Sequence, residues 1–212
     1  MRNNKGEVVL LKVIVICMWL QLPYIIVAGS ERCVSWLKKA QSKDLSIKSA
    51  YLRELVETFN IEILVETGTG NSRTLEKALP YFREIHTIKT PPIVYARTAH
   101  KFKNNNHVHI YLGESANVLC KILPIMKGKI LFILDSHTDI KTTTQRDFTP
   151  IFQEIRAIIA CGINDAVILI NNIHYFREAG YPSDRYIRDA ILDINGNYQF
   201  IMHGNNALAY LP

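Results

Sequence analysis

From residue 61 onward the chain alternates between two kinds of hydrophobic pattern. Short, β-branched apolar runs occur at 61–66 (IEILVE), 84–88 (EIHTI), 107–112 (HVHIYL), 129–135 (KILFILD) and 165–170 (DAVILI). Runs of this kind suit parallel strands covered on both faces. The segments between them, roughly 72–80, 92–103, 115–126, 148–161 and 183–194, have helix length and mixed polarity. Strand and helix taking turns predicts a doubly wound α/β sheet. Two further strands, 197–203 (NYQFIMH) and 206–211 (NALAYL), are joined by Gly204-Asn205, which is hairpin turn chemistry. The expected fold is therefore α/β, a doubly wound, mostly parallel seven-stranded sheet that ends in an antiparallel C-terminal hairpin. Upstream, Ile47, Tyr51, Leu55 and Phe59 recur at helical spacing, after a short amphipathic stretch (33–40) and a polar break at 42–44.

The N-terminal pattern is different. Residues 13–28 (VIVICMWLQLPYIIVA) are uncharged, and extending back to Val8 gives an apolar stretch interrupted only by Lys12. A bilayer-spanning helix needs about 20 apolar residues, and a signal-peptide core about 7 to 15, so the length fits either a membrane anchor or a signal peptide. Small residues at 26–30 would pass as cleavage sites. A buried helix would normally show a polar face, which this segment lacks. The domain plan is thus an anchor or signal at 1–30, basic helices at 31–60 and an α/β domain at 61–212. Arg32, Lys38, Lys39, Lys43 and Lys48 follow the apolar segment, a bias that favours a cytoplasmic domain; signal cleavage near 28–30 would instead export it.

Charge distribution agrees with this division. The net charge of the 212 residues is +6. Residues 1–30 hold three basic and one acidic side chain, residues 31–53 hold six and two, and residues 54–212 hold 16 of each. The basicity belongs to the N-terminal flanks of the apolar segment. The domain itself is neutral and shows no basic patch interleaved with aromatics, which argues against a nucleic-acid partner. Cys17, Cys33, Cys120 and Cys161 have no metal-type spacing and read as isolated, reduced or core residues.

The stretch with most chemistry is Val65-Glu66-Thr67-Gly68-Thr69-Gly70-Asn71-Ser72, between the first strand and a helix. Small residues there admit a ligand to the backbone at the carboxyl end of a strand, where open α/β sheets bind nucleotides, although a plain βα turn would look similar. It is not the dinucleotide pattern, because the third glycine of G-x-G-x-x-G would fall at Arg73. Its form, E-x-G-x-G-x-S, resembles the first motif of class I S-adenosylmethionine-dependent methyltransferases. Together with HVHIYLGESANVL, ILFILDSHTD, DFTPIFQEIRAI, AVILINNIHYF and YPS, it resembles a bacterial methyltransferase-like group found with surface-polysaccharide genes, over about residues 47–212.

The resemblance implies a Rossmann-like methyltransferase fold with S-adenosylmethionine as cofactor. Glu66, Gly68, Gly70 and Ser72 would shape the cofactor pocket, and Glu114 and Ser115, after Gly113, would lie near the adenine. Two positions depart from the family. An acid normally ends the second strand and accepts both ribose hydroxyl protons; here that place falls to Lys89, an ammonium that only donates, so it would meet a phosphate or solvent instead. In metal-dependent relatives an acid ending the fourth strand and an acidic pair ending the fifth hold Mg²⁺. The matching residues here are Asp135, Asn171 and Asn172, a set with one carboxylate where hard cations want more.

His137, two residues beyond Asp135, is a plausible general base, since imidazole titrates near working pH; His174 is a second candidate, and either could be a simple loop histidine. The leading expectation is an O-methyltransferase acting on a sugar or small polar metabolite, with Asp135 and His137 catalytic. The other is a catalytically inactive binding or scaffold protein of the same fold at a membrane.

Overall fold

The computed structural model describes residues 47, 49–68, 70, 72–135, 150–173, 183–203 and 206–212. The apolar segment, the basic residues up to 46, His137, His174 and the Gly204-Asn205 turn lie outside the described residues. Among the described residues no helix is long and apolar enough to cross a membrane.

Seven strands form one sheet: β1 (Ile63–Thr67), β2 (Glu84–Lys89), β3 (Val108–Leu112), β4 (Ile130–Leu134), β5 (Ala166–Ile170), β6 (Gln199–His203) and β7 (Asn206–Tyr210). Their order is β3-β2-β1-β4-β5-β7-β6. The first five pair in parallel, and β7 runs antiparallel to both β5 and β6. The doubly wound, mostly parallel sheet with an antiparallel end is as the hydrophobic pattern predicts. Every residue of β1, β4 and β5 is buried, which is why those strands read as continuous apolar runs rather than alternating ones.

The helices are α1 (Ser49–Phe59), α2 (Arg73–Ala78), α3 (Pro92–Lys101), α4 (Ser115–Ile122), α5 (Pro150–Ala160) and α6 (Asp184–Leu192). The continuous core on one face joins Val65, Ile88, Phe132 and Ile168 to Leu119 of α4, Ile155 of α5 and Ile191 of α6. On the opposite face, Leu64, Ile85, Leu131 and Leu169 are buried, as are Leu52 and Leu55 of α1 and Leu75 of α2. α1 reaches the far end of the sheet, where Phe59 packs on the ring of Tyr210 with centroids 5.2 Å apart.

Two local features secure this frame. Tyr198 donates its hydroxyl proton to the Ala166 carbonyl at 2.8 Å and accepts from the Ala166 amide at 3.1 Å, tying the approach to β6 onto the start of β5. Burial pushes the Tyr198 hydroxyl above the ordinary tyrosine range. Cys120 and Cys161, expected to be isolated, are neighbours: burial first, then the Cys120 thiol, raises the Cys161 thiol.

Candidate functional site

Parallel strands deliver their carboxyl ends to one edge of the sheet, and the order β2-β1-β4-β5 sets four of those ends side by side. The chain continues from β1 to β2 on one side and from β4 to β5 on the other, so a crevice opens beyond the carboxyl ends of β1 and β4. A cleft of about 410 Å³ occupies this place, lined by Glu66, Thr67, Gly70, Ser72, Lys89 and Asp135 among others. Its volume lies within the range of small-molecule sites, about 300 to 1,000 Å³.

Strand register explains the inner wall. Glu66 of β1 lies opposite Thr87 of β2, so both side chains and that of Lys89, two residues on, share one face. Thr87 Oγ1 donates to Glu66 Oε2 at 2.9 Å, and Lys89 Nζ donates to the same oxygen at 2.9 Å. The pair is buried, with the side chains only 9% and 1% exposed. Lys89, expected to meet a phosphate or solvent, is thus not a solvated lysine. It turns inward and neutralises the acid of the glycine motif. The Thr87 and Lys89 bonds both fall on Oε2, so Glu66, which lines the cleft, keeps Oε1 as a spare acceptor oxygen among the described residues.

The two glycines of the motif differ in kind. Gly68 has φ +121°, and a Cβ there would lie 2.7 Å from the carbonyl oxygen of Asp135, so both backbone conformation and packing demand glycine. Gly70 has neither constraint: a Cβ would meet nothing within 4 Å. Ser72 adopts a left-handed conformation, φ 63°, and its hydroxyl hydrogen-bonds Thr98 of α3 at 2.9 Å. It therefore braces the loop against a helix at the cleft wall, which Ser72 also lines.

On the outer wall, Asn172 Nδ2 donates to Asp135 Oδ1 at 3.0 Å. Asn172 sits at φ +57°, a conformation asparagine tolerates, and Asn206 of β7 accepts from its amide at 3.4 Å. Asn171 continues the ladder by donating to the Leu134 carbonyl at 3.0 Å. Asp135, Asn171 and Asn172 do converge, but the nearest carboxylate oxygen already accepts an amide proton. A single carboxylate spent on an amide is a poor donor set for Mg²⁺, and the expected metal triad does not fit that ion.

Arg73, Thr74 and Lys77 complete the rim, and Lys77 Nζ donates to the Ile47 carbonyl at 2.7 Å. Sequence reasoning missed these three because α2 reads as an ordinary amphipathic helix. It also missed Thr67, which lines the cleft and whose buried Oγ1 has no partner among the described residues. Glu114 and Ser115 do not line the cleft: Glu114 is exposed ahead of α4 and Ser115 is buried at its first turn. They stand at the end of β3, beside Lys89, whose carbonyl accepts from the Gly113 amide at 3.1 Å.

Neither a family model nor a curated protein matches the chain. Solved structures do. An O-methyltransferase from Bacillus cereus, solved with S-adenosylhomocysteine, superposes with a TM-score of 0.56 at 10% identity, covering 89% of this chain and 94% of that one. The S-adenosylhomocysteine-bound methyltransferase PaMTH1 of Podospora anserina superposes with a TM-score of 0.52 at 12% identity, covering 100% and 98%. At such identities the likeness is one of fold: this chain carries the Rossmann-like fold of the class I methyltransferases.

Proposed function

We propose that the protein is an S-adenosylmethionine-dependent methyltransferase acting on an oxygen of a sugar or small polar metabolite. The observation that carries this reading is the cleft at the carboxyl edge of β1, β2, β4 and β5, with a glycine at its mouth that neither backbone nor packing requires. Open space at Gly70 suits a ligand that approaches the main chain. The likeness of the motifs to surface-polysaccharide methyltransferase-like proteins, and the polar rim of Arg73, Lys77, Asn171 and Asn172, support a polyhydroxylated acceptor.

When bound, the cofactor supplies an electrophilic methyl group. The chain's part is to bind, orient and take a proton. Glu66 Oε1 would accept from the cofactor's hydroxyl or ammonium protons, while Lys89 and Thr87 fix the carboxylate through Oε2. The acid lost from the end of β2 is thereby replaced by one on β1. Asp135, held by Asn172, orients the acceptor hydroxyl, and His137 takes its proton as the methyl group transfers. Holding the two reactants together supplies much of the rate, since well-oriented pairs gain about 7 to 11 kcal/mol over free encounter. No divalent cation takes part. The apolar residues 8–28 tether the domain to a membrane, with the domain on the cytoplasmic side, where the cofactor is made.

Calorimetric titration of the detergent-purified full-length chain with S-adenosylmethionine tests the reading. Saturable binding that Glu66→Gln weakens at least tenfold supports it. No heat at millimolar cofactor overturns it and leaves a non-catalytic module of the same fold. A reporter fused to the C-terminus that read outside the cell would count against methyl transfer as well.

A further inference from the structure

Strand alternation puts Glu84 and His86 of β2 on one face of the sheet, and the register of β2 with β3 sets His109 directly beside His86. Since β3 is the terminal strand of the sheet, this trio stands at an edge. His86 is buried, Glu84 partly so, and His109 is exposed. One ligand-type atom from each, a ring nitrogen from either histidine and a carboxylate oxygen, lies within 4.8 Å of the others. None of the three lines the cleft, whose residues stand at the opposite ends of the strands.

We propose that Glu84, His86 and His109 bind a borderline divalent cation of the zinc class, with a fourth position left open to solvent. Two imidazoles and one carboxylate are the donor set such ions prefer, and Mg²⁺ or Ca²⁺ would not choose two nitrogens. Ligands of a tetrahedral ion at about 2.0 to 2.1 Å stand about 3.3 to 3.4 Å from one another. His86 Nε2 and Glu84 Oε2 are 3.4 Å apart, so that edge of the tetrahedron is already set. The rings of His86 and His109 stack with centroids 4.8 Å apart, and His109, being exposed, has the freedom to swing the remaining distance.

The surroundings orient the trio as a metal site's second layer does. His86 Nδ1 faces the Tyr111 hydroxyl at 3.1 Å, and the two rings lie nearly parallel. With Nδ1 donating to that hydroxyl, the lone pair falls on Nε2, the nitrogen that faces Glu84. Arg83 Nε sits 3.5 Å from the other oxygen, Glu84 Oε1, and its guanidinium also pairs with Glu62 Oε2 at 3.0 Å. Arg83 thereby holds one carboxylate oxygen and turns Oε2 toward His86, while its charge moderates affinity. A cation here would cross-link β2 to the edge strand.

The experiment is a titration of the full-length, EDTA-treated protein with ZnCl₂, followed by calorimetry and repeated with Co²⁺ to read the visible bands of a tetrahedral nitrogen–oxygen site. One equivalent is expected to bind with a micromolar or tighter dissociation constant. His109→Ala, a change at an exposed position that should not disturb folding, is expected to weaken it at least 100-fold, and Tyr111→Phe about tenfold. S-adenosylmethionine binding by His109→Ala should be unchanged, which separates this site from the cleft. Absence of zinc binding at 100-fold excess, or one equivalent retained by both His109→Ala and Glu84→Gln, overturns the proposal.

Discussion

Replacing Lys89 by methionine, of similar length and no charge, gives the most direct test of how the cleft is built. The Nζ to Oε2 distance of 2.9 Å and the near-complete burial of both side chains set the scale. At an effective dielectric of about 20, two unit charges at that separation attract by about 6 kcal/mol, against which both groups have been desolvated. Removing one partner leaves Glu66 buried and uncompensated, a loss expected to cost about 3 to 5 kcal/mol. For a domain of this size that is a fall of about 6 to 20 °C in Tm, readable by circular dichroism. Lys89→Glu, which would restore the family's acidic residue, should do worse, because two carboxylates would share one dry site. The double variant Glu66→Gln/Lys89→Met should recover most of the loss, giving a coupling energy of at least about 2 kcal/mol. A Lys89→Met cost below about 1 kcal/mol, or a double variant equal to the sum of its singles, would refute the buried-pair account.

Further outcomes follow from the same geometry. Gly68→Ala drives a Cβ into the Asp135 carbonyl and should destabilise by more than about 2 kcal/mol in denaturant titration, whereas Gly70→Ala should stay within about 0.5 kcal/mol of the parent yet bind S-adenosylmethionine more weakly. Adding Mg²⁺ or EDTA should leave methyl transfer unchanged, and Asp135→Asn should lower turnover without creating a metal requirement; stimulation by Mg²⁺ would contradict the amide-satisfied carboxylate. Because burial raises the Tyr198 hydroxyl, the folded state keeps a proton that the unfolded chain loses near pH 10, so this contribution to stability is whole below that pH and declines above it. Tyr198→Phe, lacking the hydroxyl and its two bonds to Ala166, should lose about 1 to 3 kcal/mol at neutral pH but show a shallower alkaline decline in Tm.

The sheet was legible because buried parallel strands write themselves as unbroken apolar runs; ILFIL and AVILI admit little else. The cleft was legible in outline for a related reason, as Glu66, Gly70, Lys89 and Asp135 all stand at or just beyond the carboxyl ends of strands. What each side chain does there was not. The inward turn of Lys89 depends on Glu66 being one strand away in matching register, a fact about pairing that no single segment contains. Ser72 lines the cleft as its place in the motif suggests, but its partner there, Thr98, lies 26 residues on and could not be read from the motif. The Glu84, His86 and His109 trio is hidden likewise, since EIH and HVH are unremarkable until β2 and β3 lie side by side. Residues joined along a strand can be read from sequence, and residues joined across strands need the register.

Gly68 carries one more consequence. With no room for even a methyl group between its Cα and the Asp135 main chain, the loop that would receive a ligand and the strand end bearing the acid are in bearing contact. Neither surface can shift inward alone. A ligand that pressed the loop toward Asp135 would press on the Asp135 main chain as well, linking occupancy of one half of the cleft to the aim of the carboxylate in the other.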